Sequence, residues 1–174
     1  EKVEFKDMPE LEQWILHKLA TLDKIVRDGY TNYDFQHVFQ QLFQFCTVDL
    51  STIYFDIRKD ALYCNSENEL TRRSSRTLLD ILFRRLTTWL APMLVFTMED
   101  VWLTRFNEKN TSVHLEDMPE TPKDWLNPEL DQKWKVIRSV RRVVTGAIEI
   151  ERKEKNIGAS LEAAPTIFIE DVSK

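Results

Sequence analysis

Apolar side chains return every three or four positions through most of this sequence, and that spacing admits few folds. Leu11, Trp14, Ile15, Leu19, Leu22, Ile25 and Val26 form one such stripe. Residues three and four apart share a helix face, whereas a half-buried strand would alternate strictly. Glycine content points the same way. The 174 residues include only Gly29, Gly146 and Gly158, too few for the tight turns of a β-sandwich or the phosphate loops of a doubly wound nucleotide-binding fold. The expected class is all-α, a helical bundle. A domain of this length buries roughly 70% of its unfolded surface and needs no disulfide or metal to fold.

The pattern predicts a first helix over 9–28, with Pro9 in its first turn and Gly29 as its C-terminal cap. Asn32 or Asp34 then caps a second helix, which carries Phe35, Val38, Phe39, Leu42, Phe45 and Cys46 on one side. A third stripe runs through Leu50, Ile53, Tyr54, Ile57 and Ala61. It starts near Asp49 or Ser51 and ends near Asn65. After the polar turn at 65–69, a long helix places Leu78, Leu79, Leu82, Leu86, Trp89 and Leu90 inward until Pro92 breaks or kinks it. Thr97 and Asp100 resemble a capping box before a short helix with Val101, Trp102 and Phe106. Residues 107–128, punctuated by Pro119, Pro122 and Pro128, read as a loop-rich connector. From Glu129 the helical pattern resumes to about Lys155 through Leu130, Trp134, Ile137, Val140, Val144, Ala147 and Ile148. Trp14, Trp89, Trp102 and Trp134 lie on apolar stripes and are expected in the core. The run Thr166–Ile169 is β-prone and reads as the beginning of a strand. Residues 1–155 are thus expected to form the helical domain and 156–174 a junction to further chain.

Known chemistries are hard to place. Cys46 and Cys64 with His17, His37 and His114 cannot supply the four paired ligands of a structural zinc site. Two cysteines do not make a disulfide framework, so a reducing, cytoplasmic setting is expected. No apolar run approaches the roughly 20 residues of a membrane span. The first residues, EKVEFKDMPE, have no apolar signal core and no initiator Met, so the chain is expected to be cut from something longer. A glycine-rich phosphate loop, an H-E-x-x-H motif and a nucleophile elbow are all missing. His37 is expected to be a packed or surface histidine. Glu99–Asp100 and Glu116–Asp117 are expected to be helix-start and solvated loop residues. No active site is expected.

Charge is distributed unevenly. The net charge is −5, yet residues 133–155 hold eight basic against three acidic residues, and 58–85 hold seven against four. Residues 95–132 reverse the balance, with three basic against nine acidic. Solvated helix exteriors account for this as simply as a polyanion-binding face does, so charge alone does not decide.

Five strings, in order, resemble one family. MPELEQWILHKL (8–19) is similar to the opening of the anticodon-binding domain of class Ia aminoacyl-tRNA synthetases. FCTVDLSTIYFDIRKDALYC (45–64) resembles an isoleucyl-tRNA synthetase pattern. TRRSSRTLLDILFRRLTTWLAPMLVFTMEDVW (71–102) carries an LAP-x-L-x-FT-x-E-[ED]-x-W core shared with valyl and leucyl enzymes. SVHLEDMP (112–119) and RKEKNIGASLEA (152–163) resemble the isoleucyl forms of those segments. Together they cover nearly the whole chain. Arg58, where an apolar or other residue is common, and Ala159, in place of a usual Ser, depart from the pattern.

The resemblance implies the anticodon-binding domain of a bacterial-type isoleucyl-tRNA synthetase. The parent would use ATP with magnesium to attach isoleucine to its tRNA, often with a C-terminal zinc. Its HIGH-type and KMSKS-type signatures, its editing domain and its zinc-binding cysteines do not occur here. The segment alone is expected to be non-catalytic and free of cofactors. It would hold the anticodon stem and loop of isoleucine tRNA beside the remaining domains of the enzyme, with no membrane or DNA partner. A valyl or leucyl domain, or a helical interaction module without RNA, are the alternatives.

Candidate contacts come from the basic stretches. Arg72, Arg73 and Arg76 open a helix, where cations are poorly placed against the macrodipole. The alternative is pairing with Glu67, Glu69 or Asp80. Lys135, Arg138, Arg141 and Arg142 share the last long helix, with 138, 141 and 142 on one face. Arg152, Lys153 and Lys155 follow near its negative end, where capping explains them equally well. Trp125 is the aromatic expected to be exposed, available for a base to stack on.

Overall fold

Helices form where the apolar spacing requires them, but their ends and faces depart from the sequence reading in instructive places. The computed structural model describes residues 2–168, which contain helices and turns and no strand. Two compact units divide the chain, residues 1–127 and 128–174.

In the first unit, α1 (Glu10–Thr31) packs against α2 (Phe35–Gln44) and α4 (Leu70–Leu90). Trp14, Ile15, Leu16, Leu19 and Val26 of α1 are completely buried, as are Val38, Tyr54, Leu78 and Trp89 from its neighbours. α1 does not stop at Gly29. It runs on to Thr31, and Gly29 lies inside it. A Cβ at Gly29 would stand 2.2 Å from Val38 Cγ2, so this glycine permits close packing of α2 rather than capping a helix. The reversal falls instead on Tyr33, whose φ is 58°. Asp34 caps α2, its Oδ1 accepting a hydrogen bond from the His37 N–H at 3.2 Å.

The expected break between the second and third helices does not exist. Residues Phe45–Phe55 continue α2 as a π-helical segment into α3 (Asp56–Cys64), with right-handed helical dihedrals at Gln44, Phe55 and Asp56. The Thr52 hydroxyl donates to the Thr47 carbonyl, five residues back, at 2.8 Å. The wider turn has a packing consequence. Phe45 and Leu50 are both buried, although a regular α-helix would turn them about 140° apart. In α2, Val38 and Leu42 face inward, whereas Phe35 and Phe39 are 43% and 47% exposed. With Phe43 they form an outer aromatic stripe at intervals of four.

Pro92 lies in the break between α4 and α5 (Val95–Arg105). The Thr97–Asp100 capping box is not formed. Leu94 occupies the N-cap of α5 without a side-chain bond, so both residues lie within the helix. The Leu90 carbonyl accepts from the N–H groups of Met93 and Leu94 at 3.0 and 2.8 Å, and this turn starts α5 earlier than the box would. The connector contains two 3₁₀ turns, Val113–Leu115 and Lys123–Trp125. Glu99 pins the first: its Oε2 accepts from the Ser112 hydroxyl at 2.9 Å and the Val113 N–H at 3.0 Å. Asp100, Glu116 and Asp117 are exposed.

The second unit is built on α6 (Pro128–Lys153), with Glu129 and Asp131 in its first turn and Arg152 and Lys153 in its last. That polarity complements the helix dipole. Beyond it, Glu162 accepts from the N–H groups of Gly158 and Ala159 at 3.0 and 3.2 Å. Residues 166–168 of the expected strand are not in a strand, having no paired neighbour among the described residues; Ile169 lies outside them.

Candidate nucleic-acid interface

The first basic group stands at the start of α4. Asn65 Nδ2 donates to Glu69 Oε1 at 2.6 Å, and Arg72 Nη1 donates to the Asn65 carbonyl at 2.5 Å. Arg72 is half-buried and braces the turn into the helix. Its Nη1 bond runs to a backbone carbonyl rather than to the carboxylate of Glu67, Glu69 or Asp80. Arg73 and the exposed Arg76 line an open polar cleft of about 480 Å³ together with Lys2, Glu67 and Asp80. The backbone brings Lys2 there: the Val3 N–H donates to Thr77 Oγ1 at 3.1 Å. Lys2 is a cleft cation that sequence reasoning missed, since nothing in the local pattern links it to a helix more than seventy residues away.

Asp80 sits under this cleft. Lys2 Nζ lies 3.2 Å and Arg84 Nε 3.7 Å from its carboxylate, and Arg105 also donates to it. Burial alone would raise its pKa. The hydrogen bond from Lys2 and the charges of Arg105, Lys2 and Arg84 outweigh that and hold it below the usual carboxylate range. A carboxyl whose folded pKa is depressed stabilises the fold above its unfolded value, near 3.9, and loses that contribution as pH falls through the folded value. Urea unfolding from pH 6 down to pH 3 should therefore show a smaller acid loss in Asp80→Asn than in the parent. Identical slopes would show that the cation cluster does not depend on Asp80.

The second group lies on α6 and just beyond it. Lys135 Nζ pairs with Asp131 at 3.1 Å, and Arg152 Nη1 with Glu149 at 2.5 Å. These i,i+4 and i,i+3 pairs are exposed on at least one side, each contributing only a few tenths of a kcal/mol. Arg138 and Arg141 are half-buried and Arg142 is exposed. Arg152, Lys153 and Lys155 border an open cleft of about 390 Å³ that also includes Glu149 and Gly158.

Trp125 corrects an expectation. It is 8% exposed, with the Arg85 guanidinium 4.9 Å above its ring. Its face is covered and offers no platform for a base. Arg85 itself explains why the connector folds inward. Its side chain donates to the carbonyls of Pro119 and Glu120 at 3.3 and 2.6 Å and to Thr121 Oγ1 at 2.7 Å, while Asp23 lies 3.6 Å away. Burial lowers the Arg85 pKa, a change that Asp23 opposes.

Arg58, the departure noted in the sequence, is likewise committed inside the bundle. It forms a two-pronged pair with Glu12, Nε to Oε1 at 2.7 Å and Nη2 to Oε2 at 2.8 Å. Glu12 is completely buried, and Tyr54 and Ser75 hydroxyls also donate to its Oε1 at 3.1 and 3.2 Å. Burial, with the Glu12 charge beside it, pushes the Tyr54 phenol well above its ordinary range.

The basic residues in these clefts can contact phosphates; no buried acid–base pair or nucleophile converges in either. Among the described residues, no group of three or more His, Cys, Asp and Glu side chains could hold a metal, and no helix is long and apolar enough to cross a membrane.

Residues 12–167 match the family described as the anticodon-binding domain of tRNA ligase. An isoleucine–tRNA ligase of Ruegeria pomeroyi is 57% identical over 165 residues, 95% of this chain and 17% of that protein. One from Agrobacterium fabrum is 53% identical over 98% of this chain and 18% of its own length, and one from Brucella abortus 50% over 99% and 18%. The chain thus spans less than a fifth of the length of these relatives.

Proposed function

This chain belongs to the family of the anticodon-binding domain of tRNA ligases, and from that premise we propose that it holds the anticodon stem and loop of isoleucine tRNA within an isoleucine–tRNA ligase. Identity of 57% across 95% of the chain carries the reading, and it favours the isoleucyl enzyme over a valyl or leucyl domain or a module without RNA. Residues 1–155 constitute the binding domain and 156–174 its junction to further chain. The full protein activates isoleucine with ATP and magnesium and transfers it to the tRNA in the cytoplasm. The chain in hand contributes recognition rather than chemistry.

In this reading Arg73, Arg76 and Lys2 on one unit, and Lys135, Arg138, Arg141, Arg142, Arg152, Lys153 and Lys155 on the other, supply cations to the RNA backbone. Phosphate contacts give affinity and register without reading sequence. Arg72 acts through the turn it braces. Trp125 is withdrawn from the set.

Salt titration tests the assignment. Replacing Arg138, Arg141 and Arg142 together with Gln should weaken binding of isoleucine tRNA and flatten the dependence of log K on log salt. Each lost phosphate contact should remove about 0.7–0.9 from that slope. A triple variant with unchanged affinity and slope would make this part of α6 a solvated face.

A further inference from the structure

Two glycines lie inside helices, and only one of them is explained by packing. Gly29 has Val38 against it, where a Cβ would stand 2.2 Å from Cγ2. Gly146, in α6, has no such neighbour: a Cβ there would meet nothing within 4 Å among the described residues. Its φ is not positive either, so any residue could adopt its backbone conformation. α6 continues past it to Lys153, which leaves it too far inside to act as a cap. A glycine in a helix interior is unfavourable, having the lowest helix preference after proline. Nothing among the described residues uses the missing side chain.

The surroundings of Gly146 are basic. At about 100° per residue, Lys135, Ser139, Arg142 and Lys153 all lie within about 40° of it around the helix axis, and all are exposed. Arg142 and Lys153 stand about 6 and 10 Å from it along the axis. Neither has an ion-pair partner among the described residues, unlike Lys135 and Arg152. Glu149, the carboxylate between them, is paired with Arg152 at 2.5 Å. Val143 and Ile150, 70% and 57% exposed, stand to one side of this line. Gly146 thus leaves a gap in the side-chain surface between two unpaired cations. We infer that the sugar–phosphate backbone of the anticodon arm lies directly on α6 at Gly146, gripped on either side by Arg142 and Lys153. The inference rests on the RNA-binding reading above and adds to it the place of closest approach. Two cations on one helix can both reach the same strand when that strand lies against the helix surface, and a side chain at 146 would hold it off. An apolar partner helix in the same place would cover Arg142 and Lys153 without neutralising them, which is costly.

The test uses the full-length protein and measures affinity for isoleucine tRNA across salt concentrations. Gly146→Leu should weaken binding and lower the slope of log K against log salt by about 0.7–0.9 for each phosphate moved out of reach, although no charge has been removed. Gly146→Ala should weaken binding less, while slowing amide exchange along α6 in the free protein, because alanine is the better helix former. A firmer helix that binds RNA more poorly is not the behaviour of a glycine that is merely tolerated. Arg142→Gln in the same titration separates two failures. If it flattens the slope and Gly146→Leu does not, the strand does not touch Gly146; the inference falls and the RNA-binding reading stands. If neither variant changes the slope, that reading fails for this part of α6 and the inference fails with it. Weaker binding by Gly146→Leu at an unchanged slope would put a protein segment over Gly146 instead, and would equally overturn the inference.

Discussion

Arg58→Leu should cost the fold about 3–5 kcal/mol, the penalty of stranding a buried charge whose partner has been removed. Glu12 is completely buried, and the two short bonds from Arg58 neutralise its carboxylate. Tyr54 and Ser75 still donate to it, but neutral donors cannot balance a charge in a low-dielectric interior. Urea denaturation measures the loss as a lower midpoint with little change in slope. Adding Glu12→Gln to Arg58→Leu should recover much of the stability, because the amide oxygen can accept from both hydroxyls without carrying charge. If the single and double variants unfold at the same midpoint, the loss in Arg58→Leu does not come from a stranded Glu12 charge.

Arg85→Ala should be destabilising by about 1.5–3 kcal/mol, the loss of hydrogen bonds from a charged donor, and its effect should be local first, since Asp23 keeps its bond from Arg27 at 2.9 Å. The Arg85 side chain is 3% exposed and holds two backbone carbonyls, one hydroxyl and the ring of Trp125. Losing it frees the connector from the bundle. Trypsin cleavage after Lys123 should accelerate well before global unfolding, as expected of a segment whose local stability has fallen. Lysine at position 85 should not rescue it, since one ammonium nitrogen cannot span acceptors that Arg85 reaches from two nitrogens, nor stack flat on an indole. A connector that remains resistant in Arg85→Ala would show that Arg27, which donates to the carbonyls of Met118 and Pro119 at 3.3 and 3.0 Å, holds it unaided.

These two arginines also show where reading from sequence stops. Helix positions were legible because they depend on apolar spacing within a few turns, and the interruption at Pro92 and the Asp34 cap are local backbone chemistry. Gly29 was legible as special but not for its reason, since its neighbour Val38 belongs to the next helix. The junction at 45–55 was hidden because a π-helical segment changes the phase of the apolar stripe without leaving a glycine or proline. Phe35 and Phe39 lie beside Val38 and Leu42 on the apolar side of α2, and spacing alone does not tell the rim of such a stripe from its buried centre. Trp125 was misplaced because its burial depends on Arg85, forty residues earlier, and a proline-rich polar setting gives no hint of such a partner. Basic stretches on the sequence did not separate Arg58 and Arg85, locked into the bundle, from the exposed Arg76 and Arg142. Only burial distinguishes a cation used for folding from one facing solvent.

Binding of the isolated anticodon stem-loop tests the central assignment most directly. Equilibrium titration of this 174-residue chain with the stem-loop of isoleucine tRNA, and with the same stem carrying a valine anticodon, separates phosphate contact from base recognition. The expected result is salt-sensitive binding of both, with the isoleucine loop bound more tightly at every salt concentration, because only unstacked loop bases carry the sequence information. Equal affinities for the two loops, or binding to neither, would contradict the account.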